Sequence, residues 1–214
     1  HQEGLRLPPL RLTDEVREVI ATSSRTPIER AGDLDAQWGA NVVGVARLAE
    51  LADAALAEVL DHGERMMRAA LAAAPDGRWE FADVIDSVGP APDQQSASTI
   101  RVAIEIDGSD VTVDFAGTDP QRAGNVNAPL AVTRSAVMLT LVSVLDPTLP
   151  ANGGSFRPVT VRAEPGTLVS AVPPVAVGAG NVEVSQRVAD VCFGALAQAL
   201  PDRVPAASQG TMGN

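Results

Sequence analysis

The sequence predicts an α+β fold: long amphipathic helices packed on a mainly antiparallel sheet, forming part of a larger protein. Three observations predict it. Residues 33–74 repeat apolar side chains at helical spacing (Val45, Leu48, Ala52, Ala55, Val59), with Arg47, Glu50, Glu58, Asp61, Arg65 and Arg68 largely opposite. Two alternating runs, Ile100-Val102-Ile104 and Val111-Val113-Phe115, flank Asp107-Gly108, the pattern of a β-hairpin. Helical and extended signals come in blocks rather than in βαβ alternation. Residues 1–77 read as largely helical, 78–128 as β-rich and 129–214 as mixed, all within a single fragment, 1–214.

Taken in order, the Pro8-Pro9 pair keeps the start extended. Thr13 and Asp14 are placed to cap a short helix through Ile20, and residues 21–28 read as a loop. The long helix of 33–74 buries one stripe, has Gly63 as a candidate break, and stops at Pro75-Asp76-Gly77. Trp79 to Ile85 forms the first strand, and residues 90–98 a Pro/Gln/Ser linker. In the hairpin, Ser109-Asp110 lengthens the turn. Residues 130–145 are apolar almost all round and predict a buried helix ending at Asp146-Pro147. A strand follows at 159–162, then a helix over 182–200 with Val184, Val188, Val191, Ala195 and Ala199 in register.

Composition narrows the function. The 214 residues include 16 Lys+Arg and 27 Asp+Glu, for a formal charge of −11, and every cation is Arg. Residues 31–100 hold four Arg against twelve acids. With no basic face, nucleic acid is not an expected partner, and an anionic membrane would repel the surface. The single Cys192 excludes an internal disulfide, and a cytoplasmic setting is the default expectation. Without Lys there is no phosphate-binding loop of the G-x-x-x-x-G-K-[ST] type. His62 lies among charged neighbours with no second His one helical turn away, which favours a solvated residue over a metal ligand. Cys192 sits in an apolar helix and reads as a buried, inert thiol. Asp33/Asp35 and Asp83/Asp86 are explained by a helix start and a solvated loop without invoking a cation.

Three polar segments carry more chemistry: Gly117 to Asn127, Ala151 to Pro158, and Gly178 to Asn181 with Ala206 to Gly210 beyond. Gly and Asn tolerate positive φ, so turn chemistry alone accounts for each. The competing reading is that their amides, hydroxyls and backbone N–H groups converge to hold a carbonyl or phosphoryl oxygen. On that reading Thr118, Gln121, Asn125 and Asn127 are the candidate catalytic residues. Arg6, Asn152, Gly153, Gly154 and Arg157 are the candidate substrate-binding residues: the glycines for close backbone approach, the arginines for an anionic group.

These segments, in this order, resemble the hydantoinase B/5-oxoprolinase family. The matching stretches are Gln2 to Pro9, Arg30 to Gln37, Asp114-Phe115-Ala116-Gly117-Thr118-Asp119-Pro120-Gln121 running to Asn127, Asn152-Gly153-Gly154 with Arg157-Pro158, Glu164-Pro165-Gly166, Asn181-Val182 and Ala207-Ser208-Gln209-Gly210. The chain resembles the middle of such proteins. Their clustered His and Asp segment lies ahead of this region, so a divalent metal, where one is used, is expected outside these residues. The absence of Tyr and the thin acidic cluster of Asp83 and Asp86 depart from the family pattern. The resemblance implies a B-type subunit of an ATP-dependent hydrolase of small cyclic amides such as hydantoin or 5-oxoproline. It further implies a hetero-oligomer with a hydantoinase A-like ATPase subunit, which would bind ATP and phosphorylate the lactam oxygen. A related ATP-dependent ketone carboxylase and a non-catalytic assembly module are the alternatives, since a scaffold does not fix a reaction.

Overall fold

The computed structural model describes residues 7–50, 53–87 and 95–208. They hold helices α1 (Asp14–Thr22), α2 (Pro27–Leu48), α3 (Asp53–Ala72), α4 (Leu130–Leu145) and α5 (Val184–Ala199), and strands β1 (Gly77–Ile85), β2 (Ser98–Asp107), β3 (Asp110–Asp114) and β4 (Val159–Arg162). The α+β expectation holds. The chain divides into two compact units, residues 2–58 and residues 59–214, with the division inside α3.

In the first unit, Thr13 caps α1 by accepting a bond from the Val16 N–H at 3.4 Å, and Asp14 and Glu15 lie in the positive first turn. The helix runs on to Thr22, and Pro27 opens α2 at the position where a missing N–H costs nothing. The expected single helix over 33–74 is two helices. The first ends at Leu48, with residues 49–50 in a turn, whereas Gly63 sits inside α3. The expected buried stripe is present only toward the end of α3, where Met67 and Leu71 are buried, while Val45, Leu48 and Val59 are 69%, 50% and 56% exposed. Apolar periodicity reports which side chains share a face, and what covers that face is decided elsewhere.

The second unit is organised by β2. Ile100, Val102, Ile104 and Ile106 are buried on one face, as are Val111, Val113 and Phe115 across the hairpin. Sheet order is β1-β2-β3-β4, with β1–β2 and β2–β3 antiparallel and β3–β4 parallel. Asp107 pairs with Asp110, so the hairpin loop is only Gly108-Ser109, shorter than the sequence suggested. Gly108, at φ +58°, takes the positive-φ turn position that such tight hairpins need. Helix α5 packs on β1 and β2, and α4 packs on α5. The apolar α4 buries Ala136, Val137, Met138, Leu141, Val144 and Leu145 but leaves Leu139 61% exposed, so it is covered on most sides rather than all. Met67 and Leu71 of α3 complete the core.

Replacing Leu196, fully buried on α5, with Ala should cost about 3 kcal/mol, by transfer and cavity terms together. Val45→Ala should fall within about 0.5 kcal/mol of wild type. Urea unfolding of the two variants checks the assignment of buried and exposed faces.

Candidate functional site

The polar segment after Phe115 begins by completing the sheet. Strand β3 ends at Asp114, opposite Ala103, leaving Arg101 and Thr99 of β2 without a strand partner on that side. The Thr118 hydroxyl fills the first gap, accepting from the Arg101 N–H and donating to its C=O, both at 3.1 Å. Asp119 fills the next. Its carboxylate accepts from the Thr99 N–H at 2.7 Å, and its own N–H donates to the Thr99 C=O at 3.0 Å. Thr118 is buried, and its hydroxyl both donates to and accepts from the Arg101 backbone.

The rest of the segment is clasped by residues 166–180. The Gln121 N–H donates to Gly166 C=O and its Oε1 accepts from the Val172 N–H, each at 2.8 Å, leaving its Nε2 without a protein partner among the described residues. Asn127 is wholly buried. Its Nδ2 donates to the carbonyls of Arg122, Gly124 and Ala176 at 2.9–3.0 Å, and its Oδ1 accepts from the Arg122 N–H at 2.7 Å. Gly180 presses against this turn: a Cβ there would lie 2.1 Å from the Asn127 carbonyl oxygen. Asn125 is exposed, and among the described residues its one partner is the Ala179 N–H, which donates to its backbone carbonyl at 2.8 Å.

The second segment docks on α3. Asn152 Oδ1 accepts from the Gly154 N–H at 2.8 Å and the Ser155 N–H at 3.3 Å, while its Nδ2 donates to Val59 C=O at 3.3 Å. A Cβ on Gly154 would sit 1.8 Å from the Leu60 carbonyl oxygen, so only glycine fits against α3 there. Gly153 is exposed, with Leu60 Cδ2 3.9 Å from where a Cβ would lie. Arg157 donates to Asp61 at 2.7 Å and Glu64 at 2.9 Å. Glu64 also takes Arg68 at 2.9 Å, and Arg68 continues to Asp110 at 2.9 Å. The Arg157 and Arg68 hydrogen bonds hold the Glu64 carboxyl below its usual range, and the same carboxylates raise both guanidinium values.

The expected convergence of these two segments is not what the fold does. Strands β3 and β4 are parallel, with Val111 beside Val159 and Asp114 beside Arg162. The Asn152–Arg157 turn precedes β4 and therefore lies where β3 begins, while Thr118–Asn127 lies beyond where β3 ends. Arg157 is committed to two carboxylates rather than to an incoming anion, and Thr118 and Asn127 direct their polar atoms at the backbone. Arg6, Gln209 and Gly210 lie outside the described residues. Among the described residues no group of three or more His, Cys, Asp or Glu is placed to hold a metal. Asp35 pairs with Arg17, Asp33 with Arg30 and Asp83 with Arg187. Cys192 is buried, and desolvation pushes its thiol up to about 12, as an inert thiol requires. No helix among the described residues is long and apolar enough to cross a membrane.

The geometry does mark a place the sequence reading missed. A depression of about 260 Å³ opens on the sheet face opposite the Ile residues of β2, where Arg78, Glu80, Ala82, Arg101, Ala103 and Asp114 are among the residues that line it. The available signal was the alternation itself, which puts Arg101 and Ala103 on the side away from Ile100 and Val102.

Comparison with known proteins defines the class. The chain belongs to the hydantoinase B/oxoprolinase family, whose model matches residues 1–214. It is 34% identical to an uncharacterized protein of Methanocaldococcus jannaschii, over 100% of this chain and 39% of that one. It is 32% identical to the B-type subunit of a putative D-/L-hydantoinase of Pseudomonas sp. (strain NS671), over 96% and 38%. Among solved structures it is similar to the ATP-dependent caprolactamase of Pseudomonas jessenii, with TM-score 0.80, 29% identity, and 94% and 37% of the two chains covered. It also shares the fold of a nucleotide-free acetone carboxylase, with TM-score 0.70, 15% identity and coverage of 92% and 29%. The chain thus spans about two-fifths of the length of the relatives it matches along nearly its whole length.

Asn127→Ala leaves three part-buried carbonyls and one N–H without their protein partner and should destabilise by about 2–3 kcal/mol, whereas Asn125→Ala should lie within about 0.5 kcal/mol of wild type, both read by urea unfolding. Glu64 yields a pH signature. Its folded-state value is lowered from 4.5, so its contribution is present above that value and disappears as pH falls through the lowered one. The drop in urea midpoint between about pH 6 and about pH 3 should therefore shrink in Arg157→Gln.

Proposed function

We propose that the chain is part of a B-type subunit of an ATP-dependent cyclic amide hydrolase, working with an A-type ATPase subunit in a hetero-oligomer. The observation that carries this reading is similarity along nearly the whole chain to a B-type hydantoinase component and to a caprolactamase, each far closer in sequence than the carboxylase. The chemistry is consistent. An unstrained amide is a poor electrophile. Phosphorylating its oxygen on the A-type partner makes the ring carbon attackable. One water then adds to that carbon as the C–N bond breaks, and a second releases phosphate. The B side needs to position water and stabilise charge, which requires no nucleotide loop of its own.

Within this chain the residues proposed for polar contact are Gln121, through its Nε2, which has no protein partner among the described residues, and the exposed Asn125. Thr118, Asn127, Asn152, Gly154 and Arg157 are proposed to act by holding their loops. A ketone carboxylase is the second reading, supported at the level of fold alone.

Coexpression with an A-type subunit should yield a complex that opens a lactam or hydantoin ring only with ATP. A complex whose ATP turnover depends on a ketone and bicarbonate overturns the reading. In that complex Gln121→Ala should lower kcat by about a hundredfold if its amide stabilises developing charge.

A further inference from the structure

We propose that the depression around Arg101 on the open sheet face is a binding site for an ω-amino acid, the ring-opened product of a lactam. The identification of the ligand rests on the reading in the preceding subsection; the site itself rests on the sheet.

Its shape follows from side-chain size at paired positions. Ala82 lies opposite Arg101, Glu80 opposite Ala103, and Ala103 opposite Asp114. Small residues form the floor and long charged ones the rim. Alternation puts them all on the face away from Ile100, Val102 and Ile104, and Glu80, Ala82 and Arg101 are exposed. The hollow of about 260 Å³ suits a short aliphatic chain with a charge at each end.

The charges are unequally committed. Arg78 is held by Glu80 at 3.0 Å and by Glu105 at 3.6 Å. The Arg101 guanidinium has no ion pair or hydrogen bond among the described residues, although carboxylates line the same hollow. Its position is nonetheless set. Its backbone is clamped by Thr118, and its side chain lies along Gly117, where a Cβ would stand 3.2 Å from Arg101 Cδ. Gly117 has φ +83°, so this close approach and this backbone both call for glycine. The Gly117-Thr118 pair thus presents one cation in a shallow pocket. One oxygen of Asp114 accepts from the Ala116 N–H at 2.9 Å, leaving the other facing no protein donor among the described residues.

Hydrolysis of a cyclic amide converts one neutral group into a carboxylate and an amine carried by the same molecule. At neutral pH the product bears both charges, whereas the lactam bears neither. A forked guanidinium suits the carboxylate, and Asp114 with Glu80 suits the ammonium. The site therefore distinguishes product from substrate by charge.

The test is binding of δ-aminovalerate to the assembled complex by calorimetry, with valerate and pentylamine as single-charge controls. The proposal expects δ-aminovalerate to bind more tightly than either control. Arg101→Gln should weaken it by about tenfold or more without changing Tm. Asp114→Asn should weaken δ-aminovalerate while leaving valerate unchanged, a split that a merely structural role would not produce. Equal affinity for valerate and δ-aminovalerate, an unchanged Kd in Arg101→Gln, or no binding by the wild-type complex would each overturn the site. Those outcomes in a complex that still opens lactams with ATP leave the proposed function standing; binding without ring opening does the reverse.

Discussion

A central strand must pair its backbone on both sides, and β2 is longer than the strand beside it. Ten residues of β2 face nine of β1 on one side but only five of β3 on the other. Unpaired buried N–H and C=O groups are costly, so the chain after β3 has to return and supply what the strand does not. Thr118 and Asp119 do so with side-chain oxygens and one backbone N–H. That single requirement sets where Gly117 lies, which way the loop leaves the sheet and where Asn127 is delivered.

From this anchor the second half of the unit follows. Asp119 and Gln121 hand the chain to residues 166–168, Ala128 pairs with Leu168 and Ala171, and Asn127 ties the turn to Ala176. Within the polar segment that reads as a catalytic loop, Thr118, Asp119 and Asn127 turn their side chains to the backbone and hold it. Its amides are oriented because backbone groups in the interior need partners, and an amide, with two donors and an accepting oxygen, meets several at once. The Arg157–Glu64–Arg68–Asp110 chain does comparable work at the other end of β3, on the surface, where each ion pair contributes less.

Much of the fold was legible because it depends on local pattern. The hairpin, the strand at Val159–Arg162, the apolar α4 and the register of α5 were all carried by alternation, turn residues and 3.6-residue spacing. The polar segments stand out in the sequence by their Gly and Asn content. Their purpose was less legible. An Asn that binds a substrate oxygen and an Asn that binds three carbonyls are the same letter. Arg101, by contrast, carries no distinguishing mark in the sequence, because an Arg alternating with Ile on a strand is the ordinary pattern of a solvated face.

What the sequence by itself determined is the set of elements, their family and the residue types available for chemistry, since these depend on neighbours within a few positions and on motif order. Only the tertiary structure decided which polar groups are free. It separated Asn152 from Asn127 through the parallel pairing of β3 with β4, left the apolar side of α2 exposed, and set Arg101, which has no ion pair among the described residues, in the same hollow as Asp114. The physical reason is that strand order and helix burial depend on contacts between distant residues. A pattern of period two or 3.6 encodes which side a residue faces, but not what it meets there.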